Sequence, residues 1–196
     1  MPITYTNCKG ATYYLCQSTT KTGKPRYHFA REQKGEPVDE IPEGFEIGEN
    51  VNALVFVRKV RQMLILPQEI AEVEAAVKKH PKSRNYRVSV KPDRIEIHKP
   101  SGTDVDEVFS FLKQANILPQ GKERKVREVL EKSTKFAPVL RFILADAERR
   151  TFRAERMRYG SREGWVELYH TGTGPVKQLA RQLVPTLDTD AFFELL

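Results

Sequence analysis

Five basic side chains crowd one short stretch of the sequence: Lys82, Arg84, Arg87, Lys91 and Arg94. Cations spaced along an extended segment are what a phosphate backbone requires, and binding of that kind weakens as salt rises. A second set, Lys21, Lys24 and Arg26 with Tyr27, mixes cations with a ring and stands near Tyr13, Tyr14 and Phe29. Phosphates take the cations and bases stack on the rings when a sheet binds single-stranded nucleic acid. The plainer reading is that such cations are solvated and such rings are core, because a basic protein exposes basic faces in any case.

The remaining chemistry-bearing residues read as structural. Cys8, Cys16 and His28 lack the close cysteine spacing and the fourth ligand of a zinc site, so no metal is expected. Asp93 and Glu96 stand beside His98 where a metal-dependent nuclease would place a lysine, and Asp93 suits a turn. Asp104, Asp106 and Glu107 fit the first turn of a helix, and His80 fits the end of one as a cation. The glycine loop Thr171 to Pro175 lacks the Lys-Ser/Thr ending of a phosphate-binding loop and reads as a turn with Pro175 opening a helix. No nucleophile elbow is present. The sequence names no catalytic set and implies no cofactor.

These residues must be positioned by secondary structure. Tyr86 to Val90 and Arg94 to His98 alternate around Lys91, Pro92 and Asp93, which predicts a hairpin with Tyr86, Val88, Val90, Ile95 and Ile97 inward. Its other face carries Arg87, Ser89, Lys91, Arg94, Glu96 and His98. Thr12 to Ser18 and Arg26 to Arg31 predict a second hairpin about Gly23, Gly44 to Ile47 a short strand, and Ala53 to Val60 a central strand covered on both faces. Ile70, Val73 and Val77 mark an amphipathic helix opened by Pro67. Lys99 to Thr103 (KPSGT) reads as a boundary. Beyond it lie a helix burying Val105, Val108, Phe109 and Leu112, and another, Lys122 to Lys132, burying Val126, Val129 and Leu130. A meander of Pro138 to Ala145, Thr151 to Tyr159 and Trp165 to Tyr169 follows, then helices from Pro175 to Val184 and Asp188 to Leu196.

Composition bounds the class. The chain has 196 residues, 39% of them hydrophobic, with a formal charge of +7, enough apolar material for a core and enough basic excess to favour a polyanion. Two cysteines exclude a disulfide scaffold, and no apolar run is long enough to span a bilayer, so the expected protein is cytoplasmic with no membrane contact. Glu36, Asp39, Glu40, Glu43, Glu46 and Glu49 form an acidic block after a basic start.

The strings KTGKPRYHF (21–29), VDEIPEGFEI (38–47), VFVRK (55–59) and DAFFELL (190–196) resemble a group of uncharacterised bacterial proteins of unknown function. The resemblance implies a bacterial, cytoplasmic setting and a sheet-forming amino-terminal region, and brings no activity or ligand with it. The expected fold is α+β: an amino-terminal antiparallel β-rich unit with one helix (1–100), then helices around a three-stranded antiparallel meander (101–196). The expected function is binding of nucleic acid or another polyanion. The alternative is a protein-interaction or scaffold module that uses the acidic segment and Phe192, Phe193, Leu195 and Leu196 to meet a protein partner or a second copy of the chain. An enzyme with an unrecognised site is the third class.

Overall fold

The computed structural model describes residues 2–32, 35–102, 105–119, 121–158 and 164–194. The chain is a mixed α+β protein with antiparallel sheets. It divides into two compact units, Met1–Arg61 and Gln62–Leu196.

The first unit carries strands and turns and no helix among its described residues. β1 (Thr4–Thr6), β2 (Thr12–Thr19), β3 (Pro25–Ala30) and the short β4 (Glu36–Pro37) form one sheet. Its hairpin turns at Gly23, whose φ of +78° is the left-handed conformation that glycine adopts without strain. Leu15 and Cys16, adjacent on β2, are both fully buried, so this strand is covered on both faces. β5 (Phe45–Glu49) and β6 (Val55–Lys59) make a separate two-stranded ribbon. The central strand expected at Ala53 to Val60 is therefore corrected: among the described strands β6 pairs with β5 alone, and Leu54 and Val60 are exposed. Gly48 lies opposite Phe56, and a Cβ there would meet the ring at 2.6 Å.

The second unit carries the large core. α1 (Pro67–Lys79) begins where Glu69 accepts the Leu66 N–H at 2.8 Å, which satisfies one of the unpaired donors at the helix start. The five-stranded sheet runs β11-β10-β9-β8-β7, with β7 (Arg87–Lys91), β8 (Arg94–Ser101), β9 (Lys135–Asp146), β10 (Thr151–Met157) and β11 (Trp165–Glu167) all antiparallel. Ile95, Ile97, Leu140, Phe142, Phe152 and Ala154 project from one face into a core shared with Val73 and Val77 of α1 and Leu179, Ala180 and Leu183 of α4 (Val176–Leu183).

Two expectations change here. The boundary expected at Lys99 to Thr103 falls inside a strand ladder, since β8 pairs with β9 through Ser101 opposite Lys135, and the hairpin and meander are one sheet. The first unit therefore ends at Arg61, and the one helix assigned to it belongs to the second unit. α2 (Val105–Gln114) and α3 (Glu123–Ser133), inserted between β8 and β9, bury none of their described residues fully. Val129, expected in the core, is 59% exposed.

α5 (Asp190–Glu194) packs by Phe192, which is 4% exposed and joins the core. Phe192 is thus a packing residue and not a contact for a partner, whereas Phe193 points outward at 57% exposure. Leu195 and Leu196 lie outside the described residues, as does Tyr159 at the expected end of β10.

Candidate anion-binding site

The outer face of the β7–β8 hairpin carries the residues that alternation assigns to it: Arg87 opposite His98, Ser89 opposite Glu96, and Lys91 opposite Arg94. The cations on this face are unequal. Arg94 donates from Nε to Glu96 at 2.7 Å and from Nη1 to Asp93 at 3.0 Å, so its charge is neutralised locally. Burial alone would raise the Glu96 pKa, but donors from His98 and Arg94 and the charges of Arg94 and Lys91 hold it down to about 2. His98 Nε2 lies 2.9 Å from Ser89 Oγ and 3.5 Å from Glu96. Ser and carboxylate share one ring nitrogen here, which is not the relay geometry of a nucleophile.

The rest of that sheet face continues the pattern. Arg141 and Arg153 both bond Glu155, and Arg141 stacks over the Trp165 ring at 4.0 Å. Arg153 also reaches Glu167 at 3.8 Å, so the two arginines share two carboxylates.

Arg87 differs. The β7 strand follows a 3-10 turn at Ser83–Asn85, and this geometry brings two carbonyls to one guanidinium: Nη1 donates to Arg84 O at 2.8 Å and to Tyr86 O at 2.9 Å. The same group lies over the Phe136 ring at 4.9 Å. The ion pairs of this region go to Arg94 and Arg127, and among the described residues none reaches Lys82, Arg84, Arg87 or Lys91.

Arg84 and Arg87 line a cleft of about 580 Å³ together with Asn85, Thr134, Phe136 and Arg127. Arg127 stacks on Phe109 at 5.5 Å and is held by Asp106 and by Glu131, the latter at 3.3 Å. The cleft is thus lined by three arginines and by the carboxylates Asp106 and Glu131, both of which pair with Arg127, so that among the described residues Arg84 and Arg87 make no ion pair. Alternation put Arg87 on the outer hairpin face, opposite His98, with Arg84 on the approach to it. It missed Arg127 and Phe136, which arrive from α3 and β9, because nothing in the local sequence signals that these elements meet β7.

The second predicted set belongs to the first unit. Lys21, Lys24 and Arg26 are exposed around the hairpin tip. Tyr27 is not a free stacking platform, since its ring meets Phe45 edge-on at 5.7 Å.

The other candidates are structural in geometry. His80 Nδ1 accepts the Lys82 N–H at 3.1 Å and Nε2 lies 3.3 Å from Leu187 O, so both ring nitrogens have backbone partners at the helix end. Tyr86, at the end of the 3-10 turn, donates to Asp188 Oδ2 at 2.7 Å, and burial first, then that bond, pushes the phenol up. Gly174 exchanges both backbone bonds with Phe152, so the TGTGP loop extends the sheet. Among the described residues no group of three or more His, Cys, Asp or Glu is placed to hold a metal ion. None of the described helices is long and apolar enough to cross a membrane.

No protein-family model, curated protein or solved structure matches the chain.

Proposed function

We propose that the chain is a binding protein for an anionic polymer, nucleic acid first, and that the cleft at Arg84 and Arg87 is where a phosphate is held. The observation that carries this reading is the state of Arg87: its guanidinium is fixed by two carbonyls and a ring, yet among the described residues it makes no ion pair, the cleft's Asp106 and Glu131 being engaged by Arg127. A donor already ordered loses little entropy on binding, and an uncompensated one keeps its full charge for the ligand. Lys82 and Lys91 extend the positive potential on either side, and Lys21, Lys24 and Arg26 form a separate basic surface on the first unit. The free thiols Cys8 and Cys16 suit a reducing, cytoplasmic setting.

A second reading, a protein-interaction module, is favoured by the outward Phe193. Fluorescence anisotropy of a labelled single-stranded oligonucleotide of roughly 12 nucleotides distinguishes the two. Binding at low salt that is lost in Arg84→Glu/Arg87→Glu supports the first. Absence of binding by the folded protein at low salt ends it.

A further inference from the structure

β7 is an edge of the five-stranded sheet, and among the described residues no strand pairs with its other side. Lys91 and Arg94 flank the two-residue turn Pro92-Asp93 and so form a hydrogen-bonded pair, as do the residues two positions further along the ladder. The backbone N–H and C=O groups of Val88 and Val90 therefore point away from β8, along the outer edge. Between this edge and α1 runs a groove of about 380 Å³, floored by Val77 and Val88 and bordered by Lys78, Arg84 and Arg87, with Glu74 the one carboxylate among its described lining residues. Val88 and Val90 pack on the core yet remain partly exposed, as expected of a sheet that stops one strand short.

The charges select the occupant. Two copies of β7 pairing antiparallel about Ser89 would set Arg87 against Lys91 of the other copy, a like-charge contact that disfavours self-association. A foreign strand laid antiparallel on β7 would turn alternate side chains to opposite faces. The one beside Val88 would enter the groove against Val77, the one beside Val90 would lie on the same face further along the strand, and those beside Arg87 and Lys91 would face cations. We infer that the β7 edge binds an extended peptide in which apolar and acidic residues alternate, by strand addition to the sheet. This site is distinct in mechanism from phosphate capture, because its affinity rests on main-chain hydrogen bonds as well as charge.

The test uses the full chain and a labelled, acetylated peptide of roughly seven residues alternating glutamate and valine, compared with the same peptide N-methylated at alternate positions. N-methylation keeps every charge and removes ladder donors. The expected result is binding of the parent peptide, at least tenfold weaker binding of the N-methylated one, and slowed amide exchange at Val88 and Val90 in the complex. Val77→Asp, at the groove floor, should weaken the parent peptide severalfold, and Val88→Pro should do the same by removing an edge donor, with circular dichroism checking that each variant folds. Equal affinity for the two peptides overturns the inference, and so does failure of the parent peptide to bind at low salt. Equal protection of the same amides by an oligonucleotide also overturns it, since charge alone would then account for the effect.

Discussion

The division of cations into compensated and uncompensated groups predicts a number, the salt slope of binding. Lys82, Arg84, Arg87 and Lys91 make no direct ion pair among the described residues, although Lys91 and Lys82 act at longer range on Glu96 and Asp188, whereas Arg94 is bonded directly to Glu96 and Asp93. Each phosphate neutralised on a single strand contributes about −0.7 to the slope of log K against log salt, so four such cations give roughly −2.8. Between 50 and 200 mM salt that amounts to a loss of about 50-fold in affinity. Removing two of the cations in Arg84→Ala/Arg87→Ala should halve the slope to about −1.4 and shrink the loss to about sevenfold. Arg94→Ala should leave the slope close to that of the parent, because its charge is already spent on Glu96. Anisotropy titrations of one oligonucleotide at four or more salt concentrations supply the slopes. A drop for Arg94→Ala as large as that for Arg87→Ala would refute the reasoning, since ion pairing would then have no bearing on which cations meet phosphate.

Further outcomes follow from burial and charge. Glu96 titrates in the folded state near pH 2, below its unfolded value, so its stabilisation is complete above the unfolded pKa and is lost as pH falls towards 2. Glu96→Gln should lower stability by up to about 3 kcal/mol at pH 7, and the gap should close in acid, as read by urea unfolding at several pH values. Phe192→Ala should cost about 3 kcal/mol by opening a cavity, while Phe193→Ala should stay within about 0.5 kcal/mol, a contrast that thermal melts resolve. The fragment Gln62–Leu196 should fold when expressed alone, judged by circular dichroism, whereas a fragment ending at residue 100 should lack the β8–β9 ladder and leave its hairpin unprotected in proteolysis.

The local chemistry of this chain was legible and the long-range pairing was not. The inward and outward sets of the β7–β8 hairpin follow from period-two alternation, and the α1 core positions Val73 and Val77 follow from helical spacing. The register between β8 and β9 is absent from either strand's own pattern, because α2 and α3 intervene and the Pro-Ser-Gly cluster imitates a linker. Ala53 to Val60 misled for a related reason: an apolar run reports hydrophobicity but not the number of neighbouring strands. The site was half visible. Arg84 and Arg87 lie in a cationic stretch, but that stretch does not reveal that Arg94 is cancelled by its own strand neighbour, or that Phe136 orders Arg87 from another strand. His80 is tied to the backbone by both ring nitrogens, one of them through an N–H two residues on and the other through Leu187, a contact its own segment does not announce.

The helical pair α2–α3 sits between two strands that are direct neighbours, and it contributes no fully buried described residue to the core. A span of this kind is an appendage to the barest form of the sheet, in which a tight reverse turn would join Ser101 to Lys135. The scaffold can therefore tolerate replacement of the whole appendage while keeping its hydrophobic interior, which makes this junction the natural place to graft a foreign module. Because Arg127 travels with the appendage and Arg87 stays with the scaffold, such a graft would separate the two walls of the cleft in a single step.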